Sequence, residues 1–294
     1  MTREARPLVF LGTPTAAATV LSELIRNGFE IAHVVTRADA RRGRGSSTTP
    51  SPVKQIAIDN AIDVSHDMTW LKENSHRELL GVVVAYGKII PASVLSNIPM
   101  VNIHFSLLPR WRGAAPVERA ILAGDIRTGV CIMNVEETLD TGDVFARREI
   151  EILETHTSEV LTADLAVVGG QLLVDTLNVG LGVGVPQEGE TTYAAKISTD
   201  ELRLDWNVSS IDVLRRVRAV RSYTMIGSQR LRIIHAELSL EPVQLGLGQC
   251  DGAGLVGTRD GAVRLVSVQP EGKAVMDAAS WIRGRSGQEI IQFS

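Results

Sequence analysis

Cysteine is close to missing from this chain: among 294 residues there are two, Cys131 and Cys250, and neither sits in a C-x-x-C pair or a Cys/His cluster. That argues against a disulfide framework and against a thiolate zinc site. Both thiols read as small buried groups in a reducing compartment. Long apolar runs are missing too. Ahead of Gly12 and Pro14 the chain offers only Leu8-Val9-Phe10-Leu11, too short for the apolar region of a secretion signal. No stretch reads as long enough to span a bilayer, so a cytoplasmic location with no membrane partner is expected. Neither G-x-G-x-x-G nor a P-loop occurs, which disfavours a nicotinamide or ATP site. A large charge of one sign is also lacking. With 30 Lys and Arg against 34 Asp and Glu the net is −4, which is wrong for a protein that coats nucleic acid indiscriminately. The imbalance has a direction, since Trp206 to Ser294 carries 11 Lys and Arg against 8 Asp and Glu, leaving 19 against 26 elsewhere. An RNA footprint at the basic end and a chance asymmetry of a solvated surface fit those counts equally.

What is present is an ordinary globular composition, 44% hydrophobic and 22% charged, in a chain long enough for two domains. Pro7 to Leu11 reads as an apolar strand stopped by Gly12-Thr13-Pro14. Thr15 to Asn27 then has helical periodicity through Ala18, Leu21, Leu24 and Ile25, and Glu30 to Thr36 reads as a second strand. Strand, turn, helix, strand at this spacing is a βαβ unit and predicts a parallel sheet. Helices follow over Val53 to Asn60 and Thr69 to Leu79, with a short edge strand over Ala61 to Val64 and a fully buried strand over Gly81 to Ala85 that ends at Tyr86-Gly87. Ala115 to Ala123 reads as a helix with Pro116 in its first turn. Strands over Gly129 to Val135 and Val144 to Ile152 precede a long apolar helix, Ser158 to Leu177, interrupted by Gly169-Gly170. From Trp206 the character changes. One helix, Ile211 to Ala219, leads into short strands over Leu231 to Ile234, Ala253 to Val256 and Val263 to Val268 between Gly-rich turns, the spacing of a small β-barrel. The expected fold is α/β. A Rossmann-like open, mostly parallel sheet with helices on both faces occupies 1–186, a polar linker 187–205, and a smaller C-terminal β-barrel domain 206–294.

Chemistry concentrates in Val101-Asn102-Ile103-His104-Phe105-Ser106-Leu107-Leu108-Pro109-Arg110-Trp111-Arg112-Gly113. Alternation along a strand points Asn102 and His104 the same way and Ile103 into the opposite layer, with Phe105. Asn supplies a fixed N–H donor, and His donates to a developing oxyanion or moves a proton near neutral pH. Leu139-Asp140-Thr141-Gly142-Asp143 is a turn-rich run that can bring a carboxylate to the imidazole and fix its orientation. Taken alone, an Asn-x-His on a strand is more often a hydrogen-bonded structural pair. Arg37 to Ser51 holds Arg37, Arg41, Arg42 and Arg44 with Gly43 and Gly45, longer than a connection needs. A basic arm of this kind suits a phosphate backbone or unpaired bases, but taken alone it is more often a solvated loop.

The run Asn102 to Gly113 with Ala114-Ala115-Pro116 and Leu139 to Asp143 resembles the signature of the formyltetrahydrofolate-dependent formyltransferases. Gly12-Thr13-Pro14, Pro50-Ser51-Pro52-Val53-Lys54, Val82 to Gly87, Thr192 to Ile197, Leu204-Asp205-Trp206 and Gln269 to Lys273 follow in the family's order, so the likeness covers nearly the whole chain. It implies transfer of a formyl group from 10-formyltetrahydrofolate, a donor substrate rather than a permanently bound cofactor, with no metal. The acceptor it implies is the methionine amine of initiator methionyl-tRNA in translation initiation. A sugar amine or other small amine as acceptor, a hydrolase that releases formate from the same folate, and a non-catalytic RNA-binding relative are the alternatives. Asn102, His104 and Asp140 become the catalytic residues. Tyr86, Ser106, Leu107, Leu108 and Pro109 become folate contacts, with backbone near Val84 to Tyr86 and Val135 to Asp140 at the pterin. Arg41, Arg42 and Arg44 become the tRNA grip, the barrel an OB-like tRNA-binding module, and the protein a monomer. The chain departs from the family pattern at Ala16 and Ala17 (usually an aromatic), Phe105 (usually small), Ser46 and Ser47 (usually lysines), and Arg221 to Met225, which lacks the usual prolines.

Overall fold

The computed structural model describes residues 4–41, 48–285 and 290–294. Its chain forms two compact units: Met1–Pro116, Ile126–Leu153 and Glu159–Ala195 make the first, and Val117–Asp125, Glu154–Ser158 and Lys196–Ser294 make the second.

The first unit is built on seven strands: β1 (Leu8–Gly12), β2 (Ile31–Val35), β3 (Val64–Ser65), β4 (Leu80–Val84), β5 (Met100–His104), β6 (Arg127–Asn134) and β7 (Val144–Glu151). They lie in the order β7-β6-β5-β4-β1-β2-β3. The five strands from β3 to β5 run parallel, and β6 and β7 are antiparallel additions at one edge. The chain steps outward from β1 to β3, then returns to the other side of β1 with β4. That reversal opens a crevice at the carboxyl ends of β1 and β4, where ligands bind in open α/β sheets.

Alternation divides the strand residues between two layers. Val9, Leu11, Val83 and Met100 face one apolar cluster with Leu71, Ile98 and Tyr86, and Asn102 and His104 share the parity of Met100. The other face carries the helices α1 (Thr15–Arg26) and α4 (Ser158–Val179). Between them in sequence come α2 (Pro52–Asp59), capped by the Ser51 hydroxyl accepting from Lys54 N at 3.0 Å, and α3 (Pro116–Ala123), with proline at its first position.

Four readings of the sequence change. The helix from Thr69 ends at Glu73 instead of Leu79 because the Asn74 amide donates back to the Trp70 carbonyl at 2.9 Å and Ser75-His76-Arg77 has no apolar stripe to bury. The edge strand shrinks to Val64–Ser65. Helix α4 is unbroken through Gly169-Gly170: a Cβ at Gly169 would lie 2.9 Å from Ile103 Cγ2 and 3.1 Å from Val130 Cγ1, so the glycine admits the helix onto the sheet. Contrary to the expectation that no stretch could span a bilayer, this 22-residue helix is long and apolar enough by length and composition, with 56% of its most apolar stretch buried. Burial of that kind is what a core helix shows.

In the second unit, α5 (Ser210–Ala219) precedes β8 (Tyr223–Ile226), β9 (Gln229–Ser239), β10 (Gln249–Asp251), β11 (Leu255–Gly257), β12 (Ala262–Pro270), β13 (Met276–Asp277), α6 (Ala278–Arg283) and β14 (Ile290–Gln292). The antiparallel order is β8-β9-β12-β11-β10-β14, with β13 beside β12. Met225 and Ser294 exchange backbone hydrogen bonds of 2.9 and 3.1 Å, which joins the two ends of that order and nearly closes a barrel. Its interior is apolar, from Leu204, Trp206, Val213, Ile233, Val263, Trp281 and Phe293. The buried Trp206 indole donates to Thr224 Oγ1 at 3.0 Å, as a buried indole N–H requires. Strands β8, β10 and β14 are short and carry little alternation, and the sequence reading missed them.

Candidate active site

The ends of β4 and β5 open into a cleft of about 660 Å³, lined by Ala85, Tyr86, Asn102, His104, Gly113 and Asp140 among others. That size suits a small organic ligand. Asn102 and His104 alternate toward it, and Met133 of β6, paired opposite Asn102, adds an apolar wall. Among the described residues no hydrogen bond ties the Asn102 amide to the protein. Its N–H is therefore available to a ligand.

His104 is buried. Its Nε2 lies 2.8 Å from the Trp111 carbonyl, and a carbonyl only accepts, so Nε2 carries a proton there. Its Nδ1 faces Asp140 Oδ2 at 3.6 Å, with the two side chains 6% and 12% exposed. This is an ion-pair separation rather than a hydrogen bond. The carboxylate is anchored instead by the Gly113 N–H at 2.8 Å. Asp140 itself has φ of 53°, Trp111 63° and Ala85 45°. Non-glycine residues in the left-handed region cost energy and persist where the surroundings hold them, which is common at functional sites.

Sequence reasoning located Asn102, His104, Asp140 and Tyr86, and the structure brings these four to one cleft. Tyr86 is buried, and burial pushes its phenol above the ordinary range. The expected folate turn is placed differently. Ser106 to Pro109 do not line the cleft. Ser106 Oγ donates to the Arg110 carbonyl at 2.5 Å, and Leu107 Cδ2 packs against Gly129. Leu108 is buried with Cys131, Met133 and Val144, while the Pro109 carbonyl, after a cis peptide, accepts from Thr192 N. Their side chains turn inward because the chain must curl to return the Trp111 carbonyl to His104. Phe105 is largely buried, its Cε1 3.8 Å from a Cβ position at Gly169, yet it also stands among the residues that line the cleft, as Ile103 does. Of the arginine arm, Ala40–Arg41 pairs antiparallel with Thr48–Thr49, while Arg42 and Arg44 lie outside the described residues.

The residues that sequence reasoning missed act through backbone groups or across long separations. Gln187, placed by its polarity in a linker, donates to the carbonyls of Asp140 and Gly142, both at 2.9 Å, and accepts from Arg112 Nε and Nη2 at 3.0 and 2.6 Å. Thr192 Oγ1 accepts from Trp111 N at 2.9 Å, and Tyr193–Ala194 pairs with Arg112–Gly113. For Gln187 no local motif signals such contacts, whereas Thr192 to Ala194 fall in the run that already resembled the family. In the second unit, the α5 arginines are tied to the protein's own groups: Arg215 to Asp212, Arg216 to the Glu201 carbonyl, and Arg218 to the His156 carbonyl. The barrel surface instead presents Arg230 stacked over Tyr223 and Arg285 over Trp281, with guanidinium-to-ring distances of 4.0 and 5.0 Å.

An open parallel sheet with an Asn/His/Asp cleft at its carboxyl edge, followed by a small barrel, matches two models: "Formyl transferase" over residues 6–177 and "Formyl transferase, C-terminal domain" over 196–286. The chain belongs to the formyl transferase family. It is 42% identical to the methionyl-tRNA formyltransferase of Corynebacterium aurimucosum, covering 96% of this chain and 95% of the relative. To that of Clavibacter sepedonicus it is 40% identical, covering 97% and 99%. Among solved structures, the N-formyltransferase of Helicobacter canadensis, in complex with folinic acid and dTDP-3-aminofucose, superposes with a TM-score of 0.69 at 17% identity, covering 90% of this chain and 99% of that one. HypX of Aquifex aeolicus in complex with tetrahydrofolic acid gives 0.66 at 18%, covering 94% and 46%. At these identities the likeness concerns the fold.

Proposed function

We propose that this chain transfers the formyl group of 10-formyltetrahydrofolate to the free amino group of methionine on initiator methionyl-tRNA, for translation initiation. The observation that carries the chemistry is the convergence of Asn102, His104 and Asp140 on one cleft of a single compact unit. The acceptor rests on the near full-length likeness to relatives named methionyl-tRNA formyltransferase. The donor binds as a substrate between the walls near Ala85-Tyr86 and Val135 to Asp140.

In the reaction the amine nitrogen attacks the formyl carbon to give a tetrahedral intermediate with a negative oxygen. The C–N10 bond then breaks, one proton leaves the attacking amine and one arrives on N10. Asn102 donates to the developing oxyanion from a fixed position, the kind of stabilisation worth about 10²–10³ in turnover per donor. His104 relays the proton through Nδ1, the ring nitrogen not committed to the Trp111 carbonyl, typically worth about 10²–10⁴-fold. Asp140 places a negative charge beside the His104 ring, which the Trp111 carbonyl holds through Nε2. Residues 1–186 are the catalytic domain in this reading, 187–205 the connection, and 206–294 the tRNA-binding barrel, aided by Arg41, Arg42 and Arg44. The protein works as a cytoplasmic monomer.

The test is incubation of the pure protein with 10-formyltetrahydrofolate and, separately, methionyl initiator tRNA, a nucleotide-linked amino sugar and free amino acids. Formylmethionyl-tRNA is the expected product. Formylation of the sugar or small amines with none of the tRNA overturns the acceptor. Tight tRNA binding without transfer to any amine identifies a non-catalytic relative.

A further inference from the structure

We propose that Gln187 is a positioning residue for formyl transfer, holding the Asp140 turn and the Arg112-Gly113 segment at the spacing that keeps the Asp140 carboxylate beside His104; this rests on the formyl-transfer reading above. Four hydrogen bonds define its role. Both amide N–H groups are used, one on the Asp140 carbonyl and one on the Gly142 carbonyl, each at 2.9 Å. The amide oxygen takes two N–H groups of Arg112, at 3.0 and 2.6 Å. A primary amide has two donors and two acceptor lone pairs, so this side chain is fully satisfied. The reversed amide would set N–H against guanidinium N–H and oxygen against two carbonyl oxygens, so only one orientation is tolerated.

The two segments that Gln187 joins are the two partners of one contact. Gly113 N–H donates to Asp140 Oδ2 at 2.8 Å, and that same oxygen faces His104 Nδ1 at 3.6 Å. Asp140 has φ of 53°, a conformation that its surroundings must hold. The Gly113 amide and the two Gln187 N–H groups anchor residues 140–142 from other segments of the chain. On the other side, Gln187 fixes Arg112 next to Trp111, whose carbonyl receives His104 Nε2 at 2.8 Å. The same strand-like segment repeats the grip further along. Thr192 Oγ1 accepts from Trp111 N, the Thr192 carbonyl from Arg112 N and the Ala194 carbonyl from Ala114 N, each at 2.9 Å. Loss of Gln187 therefore loosens the Asp140 turn from the Gly113 side while Thr192 and Ala194 keep the loop in place. The separation of 3.6 Å is the quantity that changes.

The experiment compares the full-length protein with Gln187→Ala, Gln187→Glu, Asp140→Asn and the Asp140→Asn/Gln187→Ala double variant. For Gln187→Ala, kcat for methionyl-tRNA falls between about tenfold and 10²-fold, the cost of a displacement approaching 1 Å. KM for 10-formyltetrahydrofolate stays within about threefold, because uniform binding is untouched. The double variant is no slower than Asp140→Asn alone, since the glutamine acts only through that carboxylate. Gln187→Glu keeps the Arg112 contact but aims a carboxylate oxygen at two carbonyls, and it shows the same fall; it serves if the alanine variant does not fold. A second readout is independent of substrate: amide exchange of Gly113 speeds up in both Gln187 variants. Unchanged Gly113 exchange with unchanged kcat overturns the inference, and so does a double variant that multiplies the two single losses. Wild-type protein that transfers no formyl group to any amine overturns the functional reading instead, and Gly113 exchange then still decides the role of Gln187.

Discussion

Replacing Asp140 with Asn tests the cleft most directly, because it removes one charge and little volume. The carboxylate is 3.6 Å from His104 Nδ1, and both side chains are nearly enclosed, 12% and 6% exposed, so solvent and salt screen the pair weakly. At an effective dielectric of about 20, a unit charge at that separation acts on a full charge developing on the ring in the transition state by at most about 4–5 kcal/mol. An asparagine can keep the acceptor for the Gly113 N–H, so part of the alignment survives. A fall of about 10²–10³ in kcat is expected, since each 1.36 kcal/mol is a factor of ten. The assay is formyl transfer to methionyl-tRNA at saturating 10-formyltetrahydrofolate, with donor KM measured alongside. KM should change little, because the charge acts on the transition state. His104→Ala/Asp140→Asn should be no slower than His104→Ala. Turnover within a fewfold of wild type for Asp140→Asn, or losses that multiply in the double variant, would refute the coupling of carboxylate to imidazole.

Asn102→Ala and His104→Ala are each expected to lower kcat by about 10²-fold or more with donor affinity nearly unchanged, as measured by steady-state kinetics and equilibrium binding. Converting Arg41, Arg42 and Arg44 to Ala should raise KM for methionyl-tRNA and flatten its logarithmic salt dependence by roughly 0.7–0.9 for each phosphate no longer neutralised; a parental salt slope would move tRNA recognition to the barrel. The Arg119 guanidinium, with the Ser198 N–H, holds the Glu201 carboxyl down to about 2 from an ordinary 4.5. A depressed carboxyl contributes stability that is present above the unfolded value and lost as pH falls from about 4.5 towards 2. Because Arg119 and Glu201 are partly solvated, 20% and 32% exposed, Glu201→Gln should cost only about 0.5–1 kcal/mol at pH 7 in urea unfolding. That difference should close over the same acid window.

The division between sequence and tertiary structure follows from range. Long periodic segments carry their own signal, so β1, α1, β2, α4 and the βαβ order were legible, and with them the parallel sheet. The Asn102/His104 alternation was legible for the same reason, because period two is a local property of a strand. Short elements were not. β8, β10 and β14 hold three or four residues each, and they form because a neighbour offers hydrogen bonds and an apolar interior. The Thr69 helix was overextended because a competing local bond from Asn74 to Trp70 outweighed weak helical propensity. Site support was invisible for a different reason: backbone carbonyls and amides have no residue identity, so nothing in Trp111 or Gly113 announces that one holds His104 and the other Asp140. Gln187 reads as polar linker until the fold brings it 47 positions back along the chain to the Asp140 carbonyl. The sequence by itself determined that Asn102 and His104 share one face of their strand. Only tertiary structure decided the 3.6 Å between imidazole and carboxylate, because that distance depends on three segments far apart in the chain and on the hydrogen bonds that pin them together.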